Sequence, residues 1–364
     1  MTDARFSSLL IRWHKQHGRH DLPWQGTRDP YHVWLSEIML QQTQVASVIP
    51  YYQRFLVRFA SLAELAAAPV GDVMELWSGL GYYARARNLH RCAQTIMNEH
   101  GGEFPRHPEA IAGLPGIGRS TANAIAVFCF GVRAPILDGN VKRVLCRTHG
   151  VEGFPGTPAV DKALWTLAAE LLPGAGQGNG ACATYIQAQM DLGATVCTRG
   201  KPACHACPLK GICVAYKDGR TSELPVALPR KALPQRAVSV LLLQDGERFL
   251  FERRPPSGIW GGLLSLPEIP EPGDPLLHAA QALGCAVEQL IPLAPLRHTF
   301  THFQLTLQPL AGQARPQPRA TDNTGLCWLT RAELTTAALP TPIRKIIDAA
   351  LSAADAPSPL PPLP

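Results

Sequence analysis

The chain has 364 residues, 46% of them hydrophobic and 17% charged, with a formal net charge of +6. That length exceeds one ordinary core, so two or three cores joined by a linker are expected, and the mildly basic balance favours an anionic partner. No apolar run reaches the length of a bilayer and the start, MTDARFSSLLIRWHKQH, lacks a signal peptide's apolar core; no membrane-spanning helix is expected, and the protein is expected to be soluble and intracellular.

From Phe6 to about Tyr216 apolar residues recur at helical spacing between short Gly and Pro breaks, so this half reads as all-helical. In YHVWLSEIMLQQTQ, the helical neighbours of Glu37 are Val33, Trp34, Leu40 and Gln41, a largely apolar setting that raises the pKa of a carboxyl. A buried glutamate that merely satisfies local donors would have the same signature.

Leu114-Pro115-Gly116-Ile117-Gly118 lies between two helical patterns, with Pro115 to stop one and glycines to let the backbone turn before the next. Amides at Gly116, Gly118 and the following helix N-terminus suit a phosphate oxygen, although an ordinary helix-helix turn reads the same way. Twenty residues beyond Gly118 stands Asp138, in PILDGNVKRVL. It is a good helix N-cap, and a carboxylate at a helix N-terminus is expected to stay ionised. One acid kept protonated and one kept charged is the division of labour that glycosidic-bond cleavage uses.

The chain contains ten cysteines, of which Cys197, Cys204, Cys207 and Cys213 form C-x6-C-x2-C-x5-C. Four thiolates this close suit one metal centre. Tetrahedral zinc is one reading, but one tight pair with two distant single ligands favours a [4Fe-4S] cluster. His205 lies inside the run and reads as a surface residue. The other cysteines read mostly as small core residues.

KDGRTSELPVALPRKALPQR is polar and Pro-containing, an interdomain linker. The period then changes: RAVSVLLLQDGERFLFERR reads as a hairpin around Asp245-Gly246, HTFTHFQLTLQPL and GLCWLT as strands, and TPIRKIIDAALSAA as a closing helix. An α/β domain therefore begins near Ala237. The tail DAPSPLPPLP is Pro-rich and expected to be disordered.

The stretches WLSEIMLQQTQV, LWSGLGYYARARNLH, LPGIGRSTANAIA and PILDGNVKRVL, with the cysteine spacing, closely resemble the MutY family of adenine DNA glycosylases within the endonuclease III superfamily. The resemblance covers most of the chain. It implies an all-α helix-hairpin-helix glycosylase core with a [4Fe-4S] lobe, plus a C-terminal α/β Nudix-like domain. The expected boundaries are 1–216 for the catalytic region, with a six-helix barrel at about 21–133 and the iron-sulfur lobe at about 1–20 and 134–216. A linker follows at 217–236, a recognition domain at 237–350 and the tail at 351–364.

The same resemblance implies that Glu37 protonates the flipped adenine and then serves the water step, Asp138 stabilises the sugar cation, and Asn140 supports that site. Gln42, Leu80 and Tyr82 match positions that wedge into the duplex. Position 120 is Ser120, where bifunctional relatives place a Schiff-base lysine and many family members a tyrosine. A monofunctional enzyme is implied, with Lys142 near enough to Asp138 to give adventitious lyase activity. Phe300, Thr301 and His302 match the family's Phe-Ser-His loop that reads 8-oxoguanine, with threonine for serine. PEIPEPGDPLLHAAQALGC lacks the RExxEE acids that bind magnesium, so nucleotide hydrolysis is not expected.

The implied partner is double-stranded DNA with an 8-oxoguanine:adenine or guanine:adenine mispair, acted on by a monomer in the bacterial cytoplasm at the nucleoid. A bifunctional glycosylase/lyase for oxidised pyrimidines and a non-catalytic iron-sulfur DNA-binding protein are the competing readings. Ser120 and the extra domain argue against the first, and the pair Glu37 and Asp138 against the second.

Overall fold

The computed structural model describes residues 4–174, 178, 180–228, 232–256, 258–317 and 325–354. The Pro-rich segment DAPSPLPPLP, expected to be disordered, and the middle of the linker lie outside the described residues. Contacts divide the chain into two compact units, Met1–Ala67 with Asn88–Arg230, and Ala68–Arg87 with Lys231–Pro364.

The first unit is helical. It contains α1 (Ala4–His17), α2 (Pro30–Leu40), α3 (Val45–Arg58) and α4 (Leu62–Ala67). After α5 (Val70–Trp77), which belongs to the second unit, α6 (Ala84–Glu99) returns to it, followed by α7 (Pro108–Ala112), α8 (Arg119–Phe130) and α9 (Gly139–His149). It closes with α10 (Pro158–Glu170), α11 (Ala181–Thr195) and α12 (Val214–Lys217). Asp29 starts α2 by accepting from Tyr31 N at 2.9 Å, with Pro30 in the first turn where its missing N–H costs nothing. Gly131 and Gly150 end α8 and α9 in the left-handed conformation. One core joins α1, α8, α9, α10 and α11 through residues such as Phe6, Leu10, Val144, Leu164 and Tyr185. No helix among the described residues is long and apolar enough to cross a membrane.

The second unit contains a mixed sheet. Strand β1 (Gln235–Asp245) turns at Gly246 (φ 59°) into β2 (Arg248–Arg253), antiparallel as the Asp-Gly hairpin predicts. The sheet order is β3 (Leu264–Ser265), β2, β1, β7 (Gln304–Pro316), β4 (Cys285–Val287). Strands β5 (Ile291–Pro292) and β6 (Leu296–Thr299) also pair with β7, and β8 (Leu326–Thr330) with β2. The long β1–β7 pairing is parallel, from Gln235↔Gln304 to Gln244↔Gln313. Leu241, Leu242 and Leu243 are all buried, so both faces of β1 are covered. Helices α13 (Pro275–Gln281) and α14 (Thr341–Ala354) complete the unit. The segment HTFTHFQLTLQPL, expected as one strand, is instead β6, a tight turn and β7: Phe300 N donates to Phe303 O at 2.9 Å and reverses the chain.

Residues 68–87, which contain α5, a turn at 78–83 and the start of α6, join the second unit. Ser78 Oγ donates to Leu339 O at 3.1 Å and Arg87 Nη1 to Gly261 O at 2.6 Å, contacts over 261 and 174 residues of sequence that helical periodicity does not register.

Candidate active site

Helix α2 is buried nearly all round, with Val33, Trp34, Leu35, Ile38 and Met39 each at most 4% exposed. The Glu37 carboxyl therefore enters a poorly hydrated setting. Burial, and secondly repulsion from Asp138, push its pKa up to about 8. Glu37, Asp138 and Asn140 line one cavity of about 1010 Å³, together with Trp24, Gln187 and Met190.

Asp138 is the N-cap of α9 and accepts from Val141 N at 2.7 Å. Its pKa is nevertheless raised, because burial outweighs the hydrogen bonds from Val141 and Asn140 and the attraction of Arg143. The expectation that the helix terminus alone keeps it ionised is corrected here: desolvation opposes the cap. The division between the two carboxyls still follows from their surroundings. The named stabilisers of an anion gather at Asp138, while both named causes at Glu37 favour its proton.

Asn140 is fixed from two sides. Its Oδ1 accepts from Arg143 Nη2 at 2.7 Å, and a Cβ at Gly193 would lie 2.6 Å from its own Cβ. Arg143 also donates to Gly193 O and to Cys197 O, each at 2.7 Å, so one guanidinium joins the Asp138 loop to the first cysteine. Ser120, on α8, accepts from Leu137 N at 3.0 Å and holds the segment that delivers Asp138. Its hydroxyl is thus a support for the backbone. Arg143 and Gly193 carry no motif of their own in the sequence.

The predicted hairpin is α7, Leu114–Gly118 and α8. Gly116 has φ 77°, and a Cβ there would lie 2.6 Å from Asn88 Cβ, so only glycine fits. Gly118 starts α8 without a side-chain cap, which leaves the first-turn amides to a ligand or water. Exposed Arg119 lies beside them with its guanidinium 3.9 Å over the Trp165 ring. Lys142 Nζ pairs with Asp161 Oδ1 at 2.5 Å and reaches Pro155 O at 3.4 Å, so here the amine meets protein partners.

Gln42 and Tyr82 are exposed and left-handed, at φ 57° and 48°, a strained backbone for side chains of their size. Leu80 is only 7% exposed, so the expected wedge is packed as a core residue.

The four cysteines stand around an apolar cavity that is also lined by Val144, Leu192 and Val196. Short 3-10 turns at Cys204–Ala206 and Lys210–Ile212 bring them there. Arg147, 3% exposed, donates to Cys197 Sγ at 3.4 Å and to Leu224 O at 2.8 Å, while its own carbonyl accepts from Cys213 Sγ at 3.4 Å. Burial raises the Cys207 and Cys213 thiols, and the neighbouring cysteines raise them further. Among the described residues no three acidic, histidine or cysteine side chains are grouped for a single ion. An all-thiol donor set spread around a dry cavity fits an iron-sulfur cluster, and His205 does not line it.

At the tip between β6 and β7, Thr301 and His302 are exposed, with Thr301 Oγ1 3.3 Å from His302 Nδ1. Phe300 stacks on buried Phe303 at 4.5 Å and 18°. Helix α13, the site of the missing RExxEE acids, carries no carboxylate.

Residues 35–170 match the family of HhH-GPD superfamily base excision DNA repair proteins, 197–213 the iron-sulfur binding domain of endonuclease III, and 238–349 the NUDIX domain. Fold and site thus define a helix-hairpin-helix DNA glycosylase that carries a [4Fe-4S] cluster. An adenine DNA glycosylase of Buchnera aphidicola is 36% identical over 85% of this chain and 87% of its own length. The one of Homo sapiens is 35% identical over 94% and 73%. Among solved structures, a thermostable thymine-DNA glycosylase is 31% identical with a TM-score of 0.54, covering 60% of this chain and 97% of that one. The chain belongs to the adenine DNA glycosylase family: it is a base-excision-repair hydrolase of the adenine N-glycosyl bond, with DNA as its partner.

Proposed function

We propose that the enzyme removes adenine mispaired with 8-oxoguanine or guanine and leaves an abasic site without cutting the strand. The carrying observation is that two desolvated carboxyls line one cavity and that hydrogen-bond donors and a guanidinium act on Asp138 but not on Glu37. Glu37 gives its proton to a ring nitrogen of the extruded adenine, the N-glycosyl bond breaks, and the base leaves with the bonding pair. Asp138 stabilises the sugar cation, held by Val141 N and by Asn140. Deprotonated Glu37 then takes a proton from the attacking water, which restores the acid.

Ser120 has no amine and the Lys142 amine is paired with Asp161, which supports a reaction without a Schiff base. Gly116, Gly118 and Arg119 form the phosphate contact, and Gln42 and Tyr82 hold the opened strand. The turn of half-buried Phe300 with exposed Thr301 and His302 reads 8-oxoguanine. The cluster, held by Cys197, Cys204, Cys207 and Cys213, supplies a rigid lobe beside the Asp138 loop. The catalytic region spans 1–216 and the recognition domain 237–350, acting as a monomer on DNA in the bacterial cytoplasm at the nucleoid.

The test is single-turnover adenine release from an 8-oxoguanine:adenine duplex, with and without hot alkali, beside a thymine-glycol duplex. Breaks on the adenine strand only after alkali are expected. Nicking of the thymine-glycol strand without alkali would overturn the reading in favour of a bifunctional lyase.

A further inference from the structure

The second unit contains two elements that lie far apart in sequence, the Leu80–Tyr82 segment and the Phe300–Phe303 turn. They are joined through one loop. Gly261 packs so tightly that a Cβ would lie 2.5 Å from Pro256 O, and Gly262 N is held by Pro255 O at 3.0 Å. That fold of the loop presents the Gly261 carbonyl to Arg87, whose Nη1 donates to it at 2.6 Å. Trp260, one residue earlier, is left-handed at φ 54° and only 7% exposed. A bulky residue in that conformation persists only when its surroundings impose it. Its ring meets Phe300 at 5.9 Å and His298 at 6.2 Å, directly under the exposed turn.

The other end of the connection is equally specific. Arg87 N donates to Tyr83 O at 3.2 Å, and Arg85 Nη2 donates to Leu80 O and Gly81 O, each at 3.2 Å. The Arg85 guanidinium lies 5.6 Å from the Tyr82 ring. Ser78 Oγ, which donates to Leu339 O at 3.1 Å, holds the same segment at a second point.

We propose that Arg87 is a positioning residue that locks the Leu80–Tyr82 segment to the Trp260–Gly261 loop, so that reading the opposite base and opening the strand are performed by one rigid body. The proposal rests on the reading of Phe300, Thr301 and His302 as the 8-oxoguanine contact. Contact of that turn with 8-oxoguanine then fixes Tyr82 as well, and the energy of recognition is felt where the duplex is opened. A guanine offers the turn less, so the tie matters less for a guanine:adenine mispair. The coupling is an energetic link between two places on one body, and it is measurable as a ratio.

The experiment compares single-turnover adenine release from 8-oxoguanine:adenine and guanine:adenine duplexes in the intact holoenzyme and in Arg87→Met, Arg87→Lys, His302→Ala and the Arg87→Met/His302→Ala double variant. Arg87→Met is expected to lower the ratio of the two rates about tenfold, with guanine:adenine release within about twofold of the parent. Arg87→Lys, which keeps one donor toward Gly261 O, recovers part of the ratio. The double variant falls no further than His302→Ala alone.

Equal loss on both duplexes would mean that Arg87 is merely structural, and the coupling would be overturned. A ratio unchanged in Arg87→Met but lost in His302→Ala overturns the coupling alone. A ratio kept in His302→Ala overturns the reading of the turn and the coupling with it. Ser78→Ala, which removes the second tie and spares Arg87, serves if Arg87→Met does not fold, and the same loss of ratio is expected from it.

Discussion

The cavity around Glu37 and the turn at Thr301 and His302 solve opposite problems. The cavity desolvates two carboxyls, both raised in pKa by burial, and gathers anion-stabilising donors at Asp138, the basis of the proposed division between a proton and a negative charge. The turn places a hydroxyl and an imidazole in solvent on a stacked aromatic base, with Phe300 on Phe303. The proposed chemistry depends on desolvation and fixed donors, whereas the proposed recognition depends on exposed groups with a rigid footing.

The strongest way to break this contrast is at the carboxyls. Glu37→Gln keeps the shape and removes the proton, and is expected to reduce single-turnover adenine release by about a thousandfold or more while leaving affinity for the mispaired duplex within about threefold. Asp138→Asn is expected to cost about a hundredfold or more, because Val141 N and Asn140 still find an acceptor but the charge is gone. Preserved release in either variant would remove the two-carboxyl mechanism. The rate should also fall as pH rises through about 8, where Glu37 loses its proton, and this fall should be absent from any residual activity of Glu37→Gln.

The next test concerns the support of the anion. A methyl at Gly193 would sit 2.6 Å from Asn140 Cβ, so Gly193→Ala is expected to displace Asn140 and lower adenine release about tenfold to a hundredfold. Iron content measured alongside should stay near that of the parent. Loss of iron with unchanged release would show that the glycine serves the cysteine lobe instead.

The same buried acid has a consequence for stability. A carboxyl whose pKa rises from 4.5 to about 8 on folding holds its proton more tightly in the native state. Between those pH values the native state binds more protons than the unfolded one, so the contribution of Glu37 to stability falls as pH rises. Glu37→Gln should therefore be more stable than the parent at pH 8, by about 4 kcal/mol, and little different near pH 4.5. Denaturant unfolding at the two pH values checks this, and an equal difference at both would place the carboxyl in contact with water.

Much of this was legible in the sequence because it is local. Glu37 is recognisable from neighbours three and four residues away, the cysteines from their spacing, and Asp138 from the cap it makes. What was not legible depends on contacts that span the chain. Arg143 meets Cys197 O across 54 residues and Gly193 O across 50, and Gly193 stands in a helix that gives no sign of a tight approach. Leu80 was expected to project, but its burial is decided by what packs over it. Composition alone hid the turn at Phe300–Phe303, because its residues continue the strand-like pattern on both sides, and only the family resemblance marked Phe300, Thr301 and His302 as a loop.

Lys142 provides the smallest effect and the sharpest contrast with Arg119. Both are basic and close in sequence to the elements of the site, yet Lys142 is ion-paired with Asp161 at 2.5 Å while exposed Arg119 rests on Trp165 beside the uncapped start of α8. A half-exposed ion pair contributes little to stability, so Lys142→Gln should change it by less than about 1 kcal/mol. It should also leave the slope of log affinity against log salt unchanged, whereas Arg119→Gln should reduce the slope by about one phosphate contact. A slope lowered by Lys142→Gln would return that lysine to the DNA-binding face. An unchanged slope for both would show that neither takes a phosphate, and the contact would then belong to the backbone amides of Gly116 and Gly118 and the first turn of α8.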